Sequence, residues 1–94
     1  MRIIGTVKLD DFARKHARAR KSLANWEQVV RAAAWKDSEE MKRTFNSVDY
    51  DAPRTIFNIA GNNLRLIALV DFEKQLVHVS RVMTHAEHDK EKWK

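Results

Sequence analysis

Cysteine is absent from these 94 residues, which excludes a disulfide framework, a zinc knuckle and a thiol nucleophile. Proline occurs once and glycine twice, too few for a linker, a collagen-like repeat or a disordered tail. No apolar run approaches the length of a membrane span, and the opening Met1–Gly5 is too short for a signal peptide. No internal repeat or low-complexity segment is visible. These absences lead us to expect a soluble, cytoplasmic protein without membrane contact.

What is present is charge and a modest apolar fraction. The chain is 33% charged and 44% hydrophobic, with a formal net charge of +5. Its length predicts one domain over 1–94, built on a single small core. The charge is uneven. Residues 1–36 carry nine basic against three acidic side chains, residues 37–53 two against five, and residues 54–94 seven against five. A basic amino-terminal third attracts polyanions through phosphate contacts that weaken with salt; it is also what a solvated helix face looks like.

Met1–Gly5 reads as a short strand. Leu9, Phe12, Ala13, His16 and Ala17 recur at spacings of three and four, predicting an amphipathic helix over 8–20, with Asp10 and Asp11 in its first turn and Arg18, Arg20 and Lys21 in its last. Ser22 reads as the N-cap of a second helix with Leu23, Trp26, Val30 and Ala33 on one face. Asp37 or Ser38 caps a short third helix with Met41 and Phe45 inward, and 46–53 reads as a loop ended by Pro53. Trp26, Trp35 and His16 are expected to serve packing.

From Arg54 the period changes to two. Thr55, Phe57 and Ile59 alternate with Arg54, Ile56 and Asn58, Gly61-Asn62-Asn63 supplies a turn, and Leu64–Phe72 sets Leu64, Leu66, Ala68 and Val70 against Arg65, Ile67, Leu69 and Asp71. Strict alternation in the last strand puts Val77, Val79, Arg81 and Met83 on one face and Leu76, His78, Ser80 and Val82 on the other. Thr84 reads as the cap of a terminal helix over 85–93. The expected fold is α+β: a helical hairpin on one face of a small, mainly antiparallel sheet, with a short C-terminal helix and the second sheet face partly open.

The closing segment collects unlike polar groups. His85 and His88, three apart, are neighbours on a helix. They are candidates for general base and general acid, and neither a metal nor a cofactor is expected. RNA cleavage needs both roles, one for the 2′-hydroxyl proton and one for the departing 5′-oxygen. Arg65 and Arg81 sit in largely apolar strands, where an unpaired charge is costly. Either they pair with a carboxylate such as Asp71 or Asp89, or they face a cleft and hold a phosphate. Lys90 is a candidate for electrostatic assistance; Arg54, Asn58, Asn62 and Lys92 are candidates for holding RNA.

These residues carry a resemblance. Phe57-Asn-Ile-Ala-Gly-Asn-Asn-Leu-Arg-Leu-Ile-Ala68 and Arg81-Val-Met-Thr-His-Ala-Glu-His-Asp-Lys90 resemble the HigB family of toxins from type II toxin–antitoxin systems. The resemblance implies a RelE-like fold and a metal-independent endoribonuclease that cuts messenger RNA, often on the ribosome. It also implies a cognate helix-turn-helix, HigA-like antitoxin, with operator DNA bound only through that partner. Asn58, Asn62 and Arg65 match one part of the family pattern. Arg81, Thr84, His85, Glu87, Asp89 and Lys90 match the other, with His88 standing where the family more usually has tyrosine. Two other functions fit the same basic surface: a non-catalytic RNA- or ribosome-binding module, and a protein-interaction domain for an acidic partner.

Overall fold

The structure is a computed structural model that describes residues 1–59, 64–84 and 86. The chain begins with strand β1 (Arg2–Ile4) and helix α1 (Thr6–Lys15). A short 3-10 turn (Ala17–Ala19) leads into α2 (Arg20–Ala32), and α3 (Ser38–Thr44) follows. Strands β2 (Asp49–Asp51), β3 (Arg54–Ile59), β4 (Leu64–Asp71) and β5 (Leu76–Thr84) complete it. They form one five-stranded sheet in the order β1-β5-β4-β3-β2, antiparallel except where β1 runs parallel to β5. The expected α+β architecture is present. Among the described residues no helix is long and apolar enough to cross a membrane.

The helices bury the stripes their spacing predicts. Leu9 and Phe12 of α1 and Leu23, Trp26 and Val30 of α2 are buried against Phe57, Leu66, Ala68, Val70, Val77 and Val79 of the sheet. Trp26 meets Phe57 edge-on at 5.3 Å, and Phe45 meets Phe57 likewise at 5.3 Å. Trp26 and Trp35 are therefore core residues, as expected. The Met1 amino group donates to the carbonyls of Val30 and Arg31 at 3.1 and 3.2 Å, placing positive charge at the C-terminal end of α2.

Helix boundaries differ from the expectation for identifiable reasons. Helix α1 starts at Thr6, because Gly5 adopts a left-handed φ of 88° that turns the chain directly out of β1. Asp10 and Asp11 consequently lie mid-helix. Ser22 is not a cap, because the 3-10 turn carries the chain into α2 at Arg20, with Ala19 at the cap position. Asp37 does cap α3, accepting from the Glu40 backbone N–H at 3.0 Å.

The expected loop at 46–53 contains β2, paired through Asp49↔Ile56, Tyr50↔Thr55 and Asp51↔Arg54. Three residues with two aspartates carry no apolar period, so this edge strand leaves no mark in the pattern. Thr84 is the last residue of β5, opposite Leu64. The terminal helix expected over 85–93 lies, except for Ala86, outside the described residues.

Candidate functional site on the open sheet face

The sheet face turned away from the helices is built in rows. Cross-strand partners stand side by side on one face. The pairings set Asn58, Arg65 and Met83 in one row, Ile56, Ile67 and Arg81 in the next, and Arg54, Leu69 and His78 in a third. Ile67 and Met83 are buried although they stand outside the helix-side core cluster. Arg81 and His78 are exposed, and Arg54, Asn58 and Arg65 are half-buried. The guanidinium groups of Arg54, Arg65 and Arg81 thus share one face with an apolar floor between them.

That arrangement depends on an irregularity in β5. Ala68 pairs with Val79 and Ile67 with Arg81, so Ser80 is an extra residue, a β-bulge. The bulge shifts parity by one. Val77, Val79 and Val82 face the helix-side core, while Arg81 and Met83 turn to the open face with Arg65. This corrects the expected grouping of Arg81 and Met83 with Val77 and Val79. Alternation alone would send Arg81 into the core if Val77 and Val79 pack there.

The bulge is braced from α1. Lys8 Nζ donates to the Ser80 carbonyl at 2.7 Å, supplying a partner to a backbone oxygen at the irregular position. Directly before it, a Cβ on Gly5 would lie 2.7 Å from the Val79 carbonyl oxygen. Only glycine lets α1 approach β5 this closely.

The remaining expected site residues divide into those described and those not. Asn58 lies on the open face, and its amide donates to the Ser47 carbonyl, so it also ties the segment before β2 to β3. Arg54, Arg65, Arg81 and Thr84 all have interaction partners. Asn62, His85, His88, Lys90 and Lys92 lie outside the described residues. Among the described residues no three His, Cys, Asp or Glu side chains come together as metal ligands.

Two features escaped the sequence reading. His78 stands on the open face beside Leu69 and lines a cavity of about 510 Å³ with Pro53, Leu69, Phe72, Glu73 and Leu76. Its strand position relative to Arg81 was the available signal, hidden by the bulge. The second is a basic groove between α1 and β5 that contains His16. His16 is exposed at the end of α1 and stacks on Phe12 with ring centroids 4.3 Å apart, rather than packing inside. The turn that follows α1 ends the helix before His16 can enter the apolar stripe.

Comparison with known proteins agrees with the fold and the sequence motifs. Residues 19–91 match the HigB toxin family, described as the RelE-like toxic component of a toxin–antitoxin system. The chain is 34% identical over 92 residues to the mRNA interferase toxin HigB of Escherichia coli K12, covering 95% of this chain and 88% of that protein. It is equally similar to the mRNA interferase HigB of Shigella flexneri. It is 30% identical over 93 residues to that of Escherichia coli O6:H1, covering 96% and 90% respectively. With a family match across most of its length and relatives aligned nearly end to end, the chain belongs to the HigB family of RelE-like toxins of toxin–antitoxin systems.

Proposed function

We propose that this toxin is a metal-independent endoribonuclease that cleaves messenger RNA in the cytoplasm, with the open sheet face as its active surface. The observation that carries the reading is the shared face of Arg65 and Arg81, created by the bulge at Ser80. The two residues are diagonal neighbours on adjacent strands, a separation of about 7–8 Å. Guanidinium forks carried by positions that close can both reach the non-bridging oxygens of one phosphodiester. The names of the relatives, mRNA interferases, support the same substrate.

The chemistry follows from what a phosphodiester with a neighbouring 2′-hydroxyl can do. A general base removes the 2′-hydroxyl proton, the 2′-oxygen attacks phosphorus, and the bond to the 5′-oxygen breaks as a general acid protonates it. The products are a 2′,3′-cyclic phosphate and a 5′-hydroxyl end. Negative charge on the phosphoryl oxygens grows along this path, so the two arginines bind the transition state more tightly than the substrate. His85 and His88 are assigned the proton transfers and Lys90 electrostatic support; this rests on residue type and family pattern. Arg54, Asn58, Asn62 and Lys92 extend the RNA contact. The partner that neutralises the toxin is a helix-turn-helix, HigA-like antitoxin, through which operator DNA is bound. The substrate is message engaged on the ribosome.

The test is cleavage of a defined message, with and without translating ribosomes, followed by mapping of the 5′ and 3′ ends. Arg65→Ala and Arg81→Ala are each expected to slow cleavage by roughly 10²–10³-fold, the cost of removing one preorganised charge-stabilising group. His85→Ala should abolish it, and EDTA should leave the native rate on ribosome-free RNA unchanged. RNA that is bound but recovered intact by the native protein would identify a non-catalytic binding module instead.

A further inference from the structure

Beyond the open face, the groove between α1 and the bulged half of β5 has the chemistry of a nucleotide site. It is an open groove of about 450 Å³ lined by Lys8, Phe12 and Lys15 of α1, by His16 just beyond that helix, and by Ser80 and Arg81 of β5. That volume falls in the roughly 300–1,000 Å³ range of small-ligand pockets. The α1 residues follow the spacing of one helix face, so Lys8 and Lys15 stand two turns apart, about 10 Å along the axis. The one acid in the lining, Asp11, is already engaged by Arg14 one turn away.

The aromatic element decides what kind of anion fits. The His16 imidazole lies nearly parallel to the Phe12 ring, 4.3 Å away and inclined by 24°. Phe12 is buried and His16 exposed, so one face of the imidazole covers the phenyl ring while the other is turned outward. A flat ring backed by an immobile partner and flanked by ammonium groups suits a base with its adjoining phosphate. An acidic peptide would use the charges and leave the stacking surface idle. The groove is also continuous with the proposed active face, because Arg81 belongs to both.

We propose that this groove is a subsite for a nucleotide flanking the cleaved bond. The RNA strand would pass around the edge of β5 at the bulge, its base stacked on His16 and its phosphate held by Lys15. The assignment rests on the proposed function for the identity of the polymer and adds the direction the strand takes. Lys8 also braces the Ser80 carbonyl, so Lys15 and His16 are the residues to vary.

The experiment uses fully 2′-O-methylated RNA, in which the attacking hydroxyl is blocked and binding alone is read. A trinucleotide and a nonanucleotide of the same central sequence are titrated by fluorescence anisotropy against the full chain, His16→Ala, His16→Phe and Lys15→Ala. The native protein should favour the nonanucleotide, and His16→Ala should cut that preference by about tenfold, the effect of losing one base stack. His16→Phe should restore most of it. Lys15→Ala should flatten the salt dependence of nonanucleotide binding by about 0.7 in the logarithmic slope, one phosphate contact to a single strand. Thermal unfolding of each variant excludes a folding defect.

Unchanged nonanucleotide affinity in folded His16→Ala and Lys15→Ala would overturn the subsite, even if unmodified message is still cut. Displacement of the nonanucleotide by oligoglutamate, with no difference between His16→Ala and native protein, would overturn it in favour of a protein ligand. Groove-dependent binding by a protein that cuts no message would keep the groove as a nucleotide site and refute the nuclease reading.

Discussion

Gly5 is where the fold and the proposed active surface depend on a single missing side chain. Its φ of 88° is left-handed, and a Cβ there would sit 2.7 Å from the Val79 carbonyl oxygen. In Gly5→Ala the left-handed backbone costs roughly 1–2 kcal/mol. The contact is with backbone in the middle of a sheet, so relieving it means moving α1 or β5, an overpacking cost of about 1–3 kcal/mol. The sum, roughly 2–5 kcal/mol, is a large share of the about 5–15 kcal/mol that holds a small domain together. For a chain of this length each kcal/mol lowers the melting temperature by about 4–8 °C, so a fall of at least ~8 °C is expected by circular dichroism. Gly5→Asn separates the two costs, because asparagine tolerates positive φ better while keeping the Cβ. It should melt between native and Gly5→Ala. A Gly5→Ala protein melting within about 2 °C of native would refute the close approach of α1 to β5, and with it the brace on the bulge.

Other predictions concern single groups. Lys8→Met removes the donor to the Ser80 carbonyl while keeping the aliphatic stem, and should lower kcat for message cleavage more than it raises KM, because Arg81 loses its fixed position; equal losses in Arg81→Ala and in the double variant would confirm that Lys8 acts through Arg81. Thr55 is fully buried, and its hydroxyl has no hydrogen-bond partner among the described residues. Thr55→Val should therefore be neutral or stabilising, by up to about 1 kcal/mol in urea unfolding; a loss of more than that would reveal a partner for the hydroxyl. Asp37→Ala deletes the cap on the Glu40 N–H and should cost about 0.5–2 kcal/mol in the same assay.

The amphipathic helices were legible because a helix carries its burial pattern in its own spacing. Leu9 with Phe12, and Leu23 with Trp26 and Val30, are three or four apart, and whatever packs on them meets one stripe. The β3–β4 hairpin was legible for the same reason at period two, and the motif residues from Phe57 to Lys90 identified the family. Each of these signals is local. The start of α1 was not legible, because the turn at Gly5 that begins the helix at Thr6 is a close approach to Val79, more than seventy residues on. Nor was β2, whose Asp-Tyr-Asp is a strand only because β3 offers its edge.

The charge, the family and the two periodicities belong to the amino-acid order, since they follow from composition and from the geometry of an isolated helix or strand. The tertiary structure alone decided that Arg81 stands with Arg65. The run from Leu76 to Thr84 reads as unbroken alternation, and nothing in it marks Ser80 as supernumerary. Parity is set by which β4 residue each β5 residue hydrogen-bonds, and that pairing, like the parallel docking of β1 on β5, exists only once distant parts of the chain have met.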